Sequence, residues 1–204
     1  MEDNAVIYDF ETLSQDQVNG VVLSCALLTF NRDVLQDNLY TYEGLLSKTK
    51  FIKFDVQRQV VVQGRKIDND TLKWWGEQGR EAQKQLAPST KDVCIYTMHD
   101  WFINNVNIEK LKVVYTRNNT FDPVFFDRIC QADDKKLPYP FWMIRDTKST
   151  IDGLTWGQFD IRDSFIPEGL EEKFVAHDPR HDIVMDVMRL QYLTNLLFGD
   201  EIPF

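Results

Sequence analysis

The chain has 204 residues, of which 43% are hydrophobic and 27% are charged, the balance of a folded globular protein. Its formal net charge of −9 argues against a protein that holds duplex nucleic acid mainly through positive charge. No apolar run is long enough to span a membrane, and the N-terminus lacks the basic and apolar regions of a signal peptide. We therefore expect a single domain over residues 1–204 and a cytoplasmic location.

The three cysteines, Cys25, Cys94 and Cys130, are widely separated, and none belongs to a C-x-x-C pair. This spacing does not favour a zinc site or a disulfide framework. We expect all three side chains to be small buried groups of the core.

Three strands are predicted in the first third of the chain. Residues 6–10 are expected to form a short buried strand. The almost continuously apolar residues 21–30 predict a second strand that is covered on both faces. Residues 51–63 alternate only in places, which predicts a third strand with a bulge or a turn.

Two helices are predicted in the middle of the chain. Asp68 or Asn69 can cap a helix that carries two adjacent tryptophans, Trp74 and Trp75. The other helix is expected to follow Pro88 and to run towards residue 102.

The remaining elements complete an α/β pattern. Residues 111–115 predict a fourth strand, a helix begins near Asp122 with a proline at an early position, and residues 141–144 predict a fifth strand. The polar residues 147–169 are interpreted as loops, and apolar residues recur at helical spacing over residues 183–197. Mixing strands and helices in this order predicts an α/β fold with a mixed sheet.

Two carboxylates lie close together where the first predicted strand ends. Asp9 and Glu11 are two residues apart, so their side chains point to the same face of the strand. Such neighbours repel each other unless a cation lies between them, and their oxygens suit Mg²⁺. The pattern D-x-E also occurs at solvated strand ends, but here it directly follows the apolar run AVIY.

Two further acids begin predicted helices. Asp122 follows the fourth strand in the segment NNTFD; such an acid can face a cleft or simply favour a helix N-terminus. Asp182 begins the last helix, and His177 lies five residues before it. A loop histidine can accept a proton near neutral pH; the alternative is a surface histidine and a capping aspartate.

The order of these motifs resembles the DEDD superfamily of 3'→5' exonucleases, in its histidine-bearing branch. The match covers nearly the whole chain, with the motif residues Asp9, Glu11, Asn118, Phe121, Asp122, His177 and Asp182. The tyrosine-bearing branch would carry tyrosine at position 178, where this chain has aspartate. The resemblance implies a ribonuclease H-like fold, a mixed five-stranded sheet flanked by helices.

Three secondary motifs, GRKID at 64–68, DTLKWW at 70–75 and RDT at 145–147, resemble a narrower group. They are similar to the phage exodeoxyribonuclease A group and to related bacterial 3'→5' exoribonucleases. Single-stranded DNA is the favoured substrate and RNA the alternative, and a phage protein would act in the host cytoplasm. Relatives are often dimers, but no segment identifies an interface.

The resemblance also implies a mechanism that releases nucleoside 5'-monophosphates from the 3' end. Two Mg²⁺ or Mn²⁺ ions would be held by Asp9, Glu11, Asp122 and Asp182, with Asp122 nearby or bound through water. His177 would deprotonate the attacking water. His181 has the wrong spacing for that role and is interpreted as a phosphate contact or an exposed residue.

Other residues are predicted to hold the substrate strand. One of Trp74 and Trp75 is expected to be buried and the other to stack on a base, because adjacent helical positions point about 100° apart. Phe10 is expected to pack in the core with its backbone near the terminal nucleotide, and Leu13 to lie either in the core or beneath the terminal base. The further candidate contacts are Thr12, Asn118, Arg65, Arg180 and, favoured because it ends a predicted strand, Arg145.

Three other functions compete with a deoxyribonuclease. The first is an exoribonuclease of the same fold. The second is a non-catalytic binding module on a decayed nuclease fold, against which the intact set of acids argues. The third is a structural protein with solvated acids, which would require three motifs to coincide in the right order.

Overall fold

The computed structural model describes residues 2–160 and 164–198. Its centre is a five-stranded mixed sheet in the order β3-β2-β1-β4-β5. The strands are β1 (Ala5–Thr12), β2 (Val22–Phe30), β3 (Lys50–Lys53), β4 (Val113–Thr116) and β5 (Ile144–Asp146). β1, β4 and β5 run parallel, so their carboxyl ends meet at one end of the sheet, while β2 and β3 are antiparallel to their neighbours.

Helices cover both faces of this sheet. They are α1 (Tyr42–Lys48), α2 (Val56–Val61), α3 (Asn69–Glu77), α4 (Arg80–Gln83), α5 (Met98–Asn105), α6 (Asp122–Ala132), α7 (Thr147–Thr155) and α8 (Pro179–Phe198). Short 3-10 helices occupy Arg32–Asp37, Lys84–Leu86, Ile95–Thr97, Ile108–Lys110 and Phe141–Met143. Within the described ranges, no helix has the length and apolarity needed to cross a membrane. The predicted α/β architecture is confirmed.

The alternation of β1 determines where its two acids point. Ala5 and Ile7 belong to a core cluster that includes the apolar side of α8, whereas Tyr8 and Phe10 belong to a cluster with α5 and α6. Successive strand residues face opposite sides, so Asp9 continues the face of Ala5 and Ile7. The acids of β1 therefore lie on the side of the sheet that α8 covers.

The predicted third strand over residues 51–63 is wrong beyond its first residues. The chain leaves the sheet after Lys53, and Asp55 caps α2 by accepting the backbone N–H of Arg58. The helix predicted after Pro88 is also wrong at its start, because Val93 donates its backbone N–H to Lys53 and forms a bridge to Phe54. Helical structure in this segment begins only with the 3-10 turn before α5.

Two boundaries near the end of the sheet differ from the prediction. A 3-10 turn occupies Phe141–Met143, so β5 begins at Ile144. The polar segment predicted as loops over residues 147–169 contains α7, because Asp146 caps it by accepting the N–H of Ser149. Among the cysteines, Cys25 and Cys130 are buried as expected, whereas Cys94 is partly exposed.

Candidate active site

All four predicted carboxylates and His177 line one cleft at the carboxyl end of β1. We call this cleft, which has a volume of about 480 Å³, the carboxylate pocket; its acids are Asp9, Glu11, Asp122 and Asp182. Ligand atoms of Glu11, His177 and Asp182 all lie within 4.8 Å of one another. Residues separated by more than 170 positions in the chain thus meet in one place.

The backbone of β1 positions Asp122. The N–H of Phe10 donates to Oδ1 of Asp122 at 3.0 Å, and Asp122 is the first residue of α6, which packs on the sheet face opposite α8. The ring of Phe10 is buried in the core, as expected, and packs edge-on to Phe126 of the same helix. Packing of α6 therefore brings its first acid to the end of β1.

His177 is held by its backbone. Its φ of 62° is left-handed, an uncommon conformation for a residue with a side chain. The carbonyl of His177 accepts Nε2 of Gln85 at 2.8 Å, and Oε1 of Gln85 accepts the hydroxyl of Ser24 on β2. Asp178 caps α8, its carbonyl accepting the N–H of Asp182 at 3.0 Å. These bonds fix the loop that presents the imidazole to the acids.

Burial and mutual repulsion disfavour the charged forms of these acids. Desolvation, followed by the charge of Asp122, raises the pKa of Asp9 well above its ordinary value, and desolvation, followed by Asp182, does the same to the pKa of Glu11. Desolvation also raises the pKa of Asp122 to about 7 and that of Asp182 to about 8. A group of buried carboxylates with this repulsion is stabilised by a cation among them.

A second pocket adjoins the first and shares Phe10, Glu11 and Phe121 with it. We call it the aromatic pocket; its volume is about 850 Å³, and Trp74 and Thr12 also line it. The predicted division of the two tryptophans is confirmed in burial, because Trp75 is 0% exposed and Trp74 is 40% exposed.

Contacts between α3 and the end of β1 shape the aromatic pocket. The buried Trp75 donates Nε1 to the backbone carbonyl of Thr12 at 2.9 Å. Asp68 accepts the hydroxyl of Ser14 and the N–H of Gln15. α3 is thereby tied to the segment that follows the D-x-E motif.

Several predicted contacts lie elsewhere in the described structure. Leu13 and Trp75 pack together in a core cluster and line neither pocket, because Trp75 is on the buried side of α3. Arg65 is buried and donates to the carbonyl of Gly20. Arg145 is exposed outside both pockets and donates to the carbonyls of Trp142 and Ile144.

Of the remaining candidates, Asn118 lies in the carboxylate pocket, whereas Arg180 and His181 lie outside it. Asn118 lines the carboxylate pocket, and its Oδ1 accepts both the N–H and the hydroxyl of Thr120. Arg180 pairs with Asp178. His181 lies outside both pockets, and its Nδ1 is 2.8 Å from the hydroxyl of Tyr42.

Sequence reasoning missed four polar residues beside the acids: Arg117, Lys148, Asp186 and Arg189. Arg117, Lys148 and Arg189 line the carboxylate pocket. Asp186 is 1% exposed, and its Oδ1 accepts Arg117 at 2.5 Å and Arg189 at 2.8 Å. A sequence signal existed for Asp186, since it follows Asp182 by four residues and therefore shares its helix face.

Comparison with known proteins identifies the family of the chain. Residues 4–183 match the family described as the 3'-5' exoribonuclease Rv2179c-like domain. The chain is 32% identical, over an alignment of 216 residues, to an exodeoxyribonuclease of Enterobacteria phage T4. That alignment covers 96% of this chain and 91% of the phage protein.

Solved structures of exonuclease I share the fold. A structure of exonuclease I that is described as suggesting how processivity is achieved has a TM-score of 0.63 at 13% identity, covering 97% of this chain and 43% of that one. Exonuclease I of E. coli with a dA16 oligonucleotide gives a TM-score of 0.61, also at 13% identity and covering 97% and 43% of the two chains. This chain thus spans less than half the length of these exonuclease I chains. The chain belongs to the 3'-5' exoribonuclease Rv2179c-like domain family and is a 3'-5' exonuclease of the ribonuclease H-like fold.

Proposed function

We propose that this chain is a single exonuclease domain that hydrolyses single-stranded DNA from the 3' end to nucleoside 5'-monophosphates with the help of two divalent cations. The observation that carries the proposal is the convergence of four buried carboxylates and His177 in the carboxylate pocket. A binding module would have no need of so costly a cluster, because buried acids without a partner lower stability.

The carboxylate pocket fits hard divalent cations. Its donors are carboxylate oxygens, which Mg²⁺ and Mn²⁺ prefer. Burial, the main cause of the raised pKa values of Asp122 and Asp182, disfavours their charged forms, and a bound cation would offset that cost. Asp9, Glu11, Asp122 and Asp182 would hold the ions. When bound, the cations would supply an activated water and stabilise the charge on the leaving 3'-oxygen.

His177 is proposed to accept the proton of the attacking water. Its ligand atom lies within 4.8 Å of atoms of Glu11 and Asp182, so a water held by these acids is within reach of the ring. Histidine is the side-chain type whose unperturbed pKa suits it to accept a proton near neutral pH. The scissile phosphorus–oxygen bond then breaks on the side of the penultimate nucleotide.

The aromatic pocket is proposed to receive the 3'-terminal nucleoside. Trp74 is 40% exposed and offers a ring for stacking, and Thr12 lines the same pocket. Stacking tolerates any base, which suits an enzyme that removes nucleotides without regard to sequence.

The proposed polymer is DNA. The phage T4 relative that aligns along 91% of its own length is described as an exodeoxyribonuclease, and the alignment covers 96% of this chain. RNA is the second candidate, because the matching family is described as an exoribonuclease domain.

A competition experiment distinguishes the two polymers. A DNA strand and an RNA strand of the same sequence, each labelled at the 5' end with its own fluorophore, are mixed with the protein and Mg²⁺. Faster shortening of the DNA supports the proposal, and faster shortening of the RNA assigns an exoribonuclease. Strands that are bound but never shortened, with Mn²⁺ tried as well, would indicate a binding module instead. The control is Glu11→Gln, which keeps the side-chain volume but removes the charge.

A further inference from the structure

The two pockets differ in the charge of their walls. In the described part of the chain, the aromatic pocket is lined by acids, amides, two threonines, one isoleucine and aromatic rings but by no lysine or arginine. The carboxylate pocket has three cationic side chains, Arg117, Lys148 and Arg189, in its lining. A ligand that occupies both pockets therefore meets cations only at one end.

A nucleic-acid strand has a matching asymmetry. No phosphate lies beyond the sugar of its 3'-terminal nucleoside, whereas every nucleotide on the 5' side of the scissile bond contributes another negative charge. We propose that Lys148 and Arg117 bind the phosphodiester that lies one nucleotide to the 5' side of the scissile phosphate. This inference rests on the proposed function.

Arg117 is rigidly oriented for this contact. It directly follows β4, and its guanidinium donates to Oδ1 of the buried Asp186 at 2.5 Å. The Arg117 side chain keeps 24% of its surface exposed and lines the carboxylate pocket. A guanidinium whose orientation is fixed in advance loses little entropy when it binds a phosphate.

Lys148 is brought to the same pocket as Arg117 by the residues that precede each of them. The hydroxyl of Thr147 is 3.3 Å from the backbone carbonyl of Thr116 and also contacts Asp186. Lys148 follows Thr147 in the first turn of α7 and lines the pocket. Its ammonium makes no ion pair or hydrogen bond with another residue in the ranges described, so its charge is available to a phosphate.

The test compares two substrates in the intact protein with Mg²⁺. One is a single-stranded DNA oligonucleotide. The other is thymidine 5'-(p-nitrophenyl phosphate), in which nitrophenolate replaces the penultimate nucleotide as the leaving group and no further phosphate exists. Hydrolysis of this ester by water yields thymidine 5'-monophosphate and nitrophenolate.

For Lys148→Gln, we expect the ratio of kcat/KM on DNA to kcat/KM on the ester to fall about tenfold, the effect of one charged hydrogen bond. Most of the change should be an increase in KM. The dependence of KM on salt should also weaken: the slope of log KM against log salt concentration should be shallower by about 0.7 for each phosphate contact that is lost. Arg117→Lys, which retains a charge for Asp186, should lower the ratio less than Arg117→Gln.

The matched control is Lys136→Gln, which makes the same charge change at an exposed residue outside both pockets. An equal loss on both substrates would show that Lys148 and Arg117 only support the site, and an unaltered ratio would also overturn the inference. If the unmodified protein hydrolyses neither substrate, the proposed function itself fails, and this outcome is separate from the other two.

Discussion

The indole ring of Trp74 lies edge-on to the imidazole ring of His177, with the ring centroids 4.7 Å apart and the planes at 76°. Trp74 is also edge-on to Trp75, whose buried indole is bonded to the carbonyl of Thr12. The orientation of the proposed base is therefore linked, through α3, to the end of the strand that carries Asp9 and Glu11.

We expect Trp74→Ala to lower kcat on DNA by roughly tenfold to a hundredfold, because a displaced imidazole loses its alignment with the attacking water. Trp74→Phe keeps an aromatic edge beside His177 and should retain more of the activity. Steady-state kinetics on a labelled oligonucleotide measure both variants. An increase in KM with unaltered kcat would show that Trp74 only stacks on the substrate.

The two histidines of the last motif should respond differently to the same substitution. His177→Asn should reduce kcat by about 10²–10⁴, the usual contribution of a general base. Asparagine tolerates the left-handed backbone of this position, so the loss reports the imidazole. His181→Asn should be much milder, because His181 contacts Tyr42 outside both pockets.

Calorimetric titration with Mn²⁺ tests whether His177 acts as the general base or binds the cation. Affinity in His177→Asn should stay within a few-fold of the unmodified protein, whereas Asp182→Asn should lose it. If both variants lose affinity equally, His177 binds the cation, and its assignment as the base is wrong.

The stability of the cation-free protein should depend on pH through Asp122 and Asp182. Burial raises the pKa of Asp122 to about 7 and that of Asp182 to about 8, whereas an unfolded aspartate has a pKa of about 3.9. Between these values the folded protein keeps protons that the unfolded chain has released. The free energy of unfolding should therefore fall as the pH rises from about 4 to about 8.

Thermal unfolding in EDTA across this pH range checks the sign of this pH dependence. Added Mg²⁺ should raise Tm most at the upper end, where the carboxylates bind it without competition from protons. A Tm in EDTA that rises steadily towards pH 8 would contradict the account of the buried acids.

Asp186 should be required for folding stability. It accepts two arginines and the hydroxyl of Thr147 while almost fully buried, so Asp186→Ala removes a buried acceptor that all three donors share. We expect a loss of about 3–5 kcal/mol, the range for a broken buried ion pair. Urea unfolding measures the loss, and Asp127→Ala, on the surface of α6, is the control. A loss below that of the control would show that the arginines find other partners.

The sequence predicted the elements that have a clear hydrophobic pattern and the site residues whose carboxylates suit a metal ion. β1, β2 and α8 were recognisable because continuous apolar runs or helical spacing mark them. The acid set was recognisable because carboxylates at strand ends are costly without a cation. The order of strands in the mixed sheet and the position of His177 beside Glu11 could be determined only from the three-dimensional structure.

Other features depend on contacts that local patterns do not contain. The predicted third strand ran on through residues 56–61, yet Asp55 caps these residues as a helix. Arg145 was favoured as a phosphate contact because of the strand before it, but it lies outside both pockets, and its Nη1 donates to two nearby carbonyls. Arg117 and Lys148 reach the same pocket only because β4 and α7 meet through Thr116 and Thr147.

A digestion time course on a 5'-labelled single strand of DNA with Mg²⁺ tests the central claim, that the carboxylate pocket performs 3'→5' hydrolysis. We expect a ladder that shortens one nucleotide at a time from the 3' end, with nucleoside 5'-monophosphate as the product. EDTA or Asp9→Ala should abolish the ladder. Undiminished shortening by Asp9→Ala, or no shortening by the unmodified protein with either DNA or RNA, would contradict it.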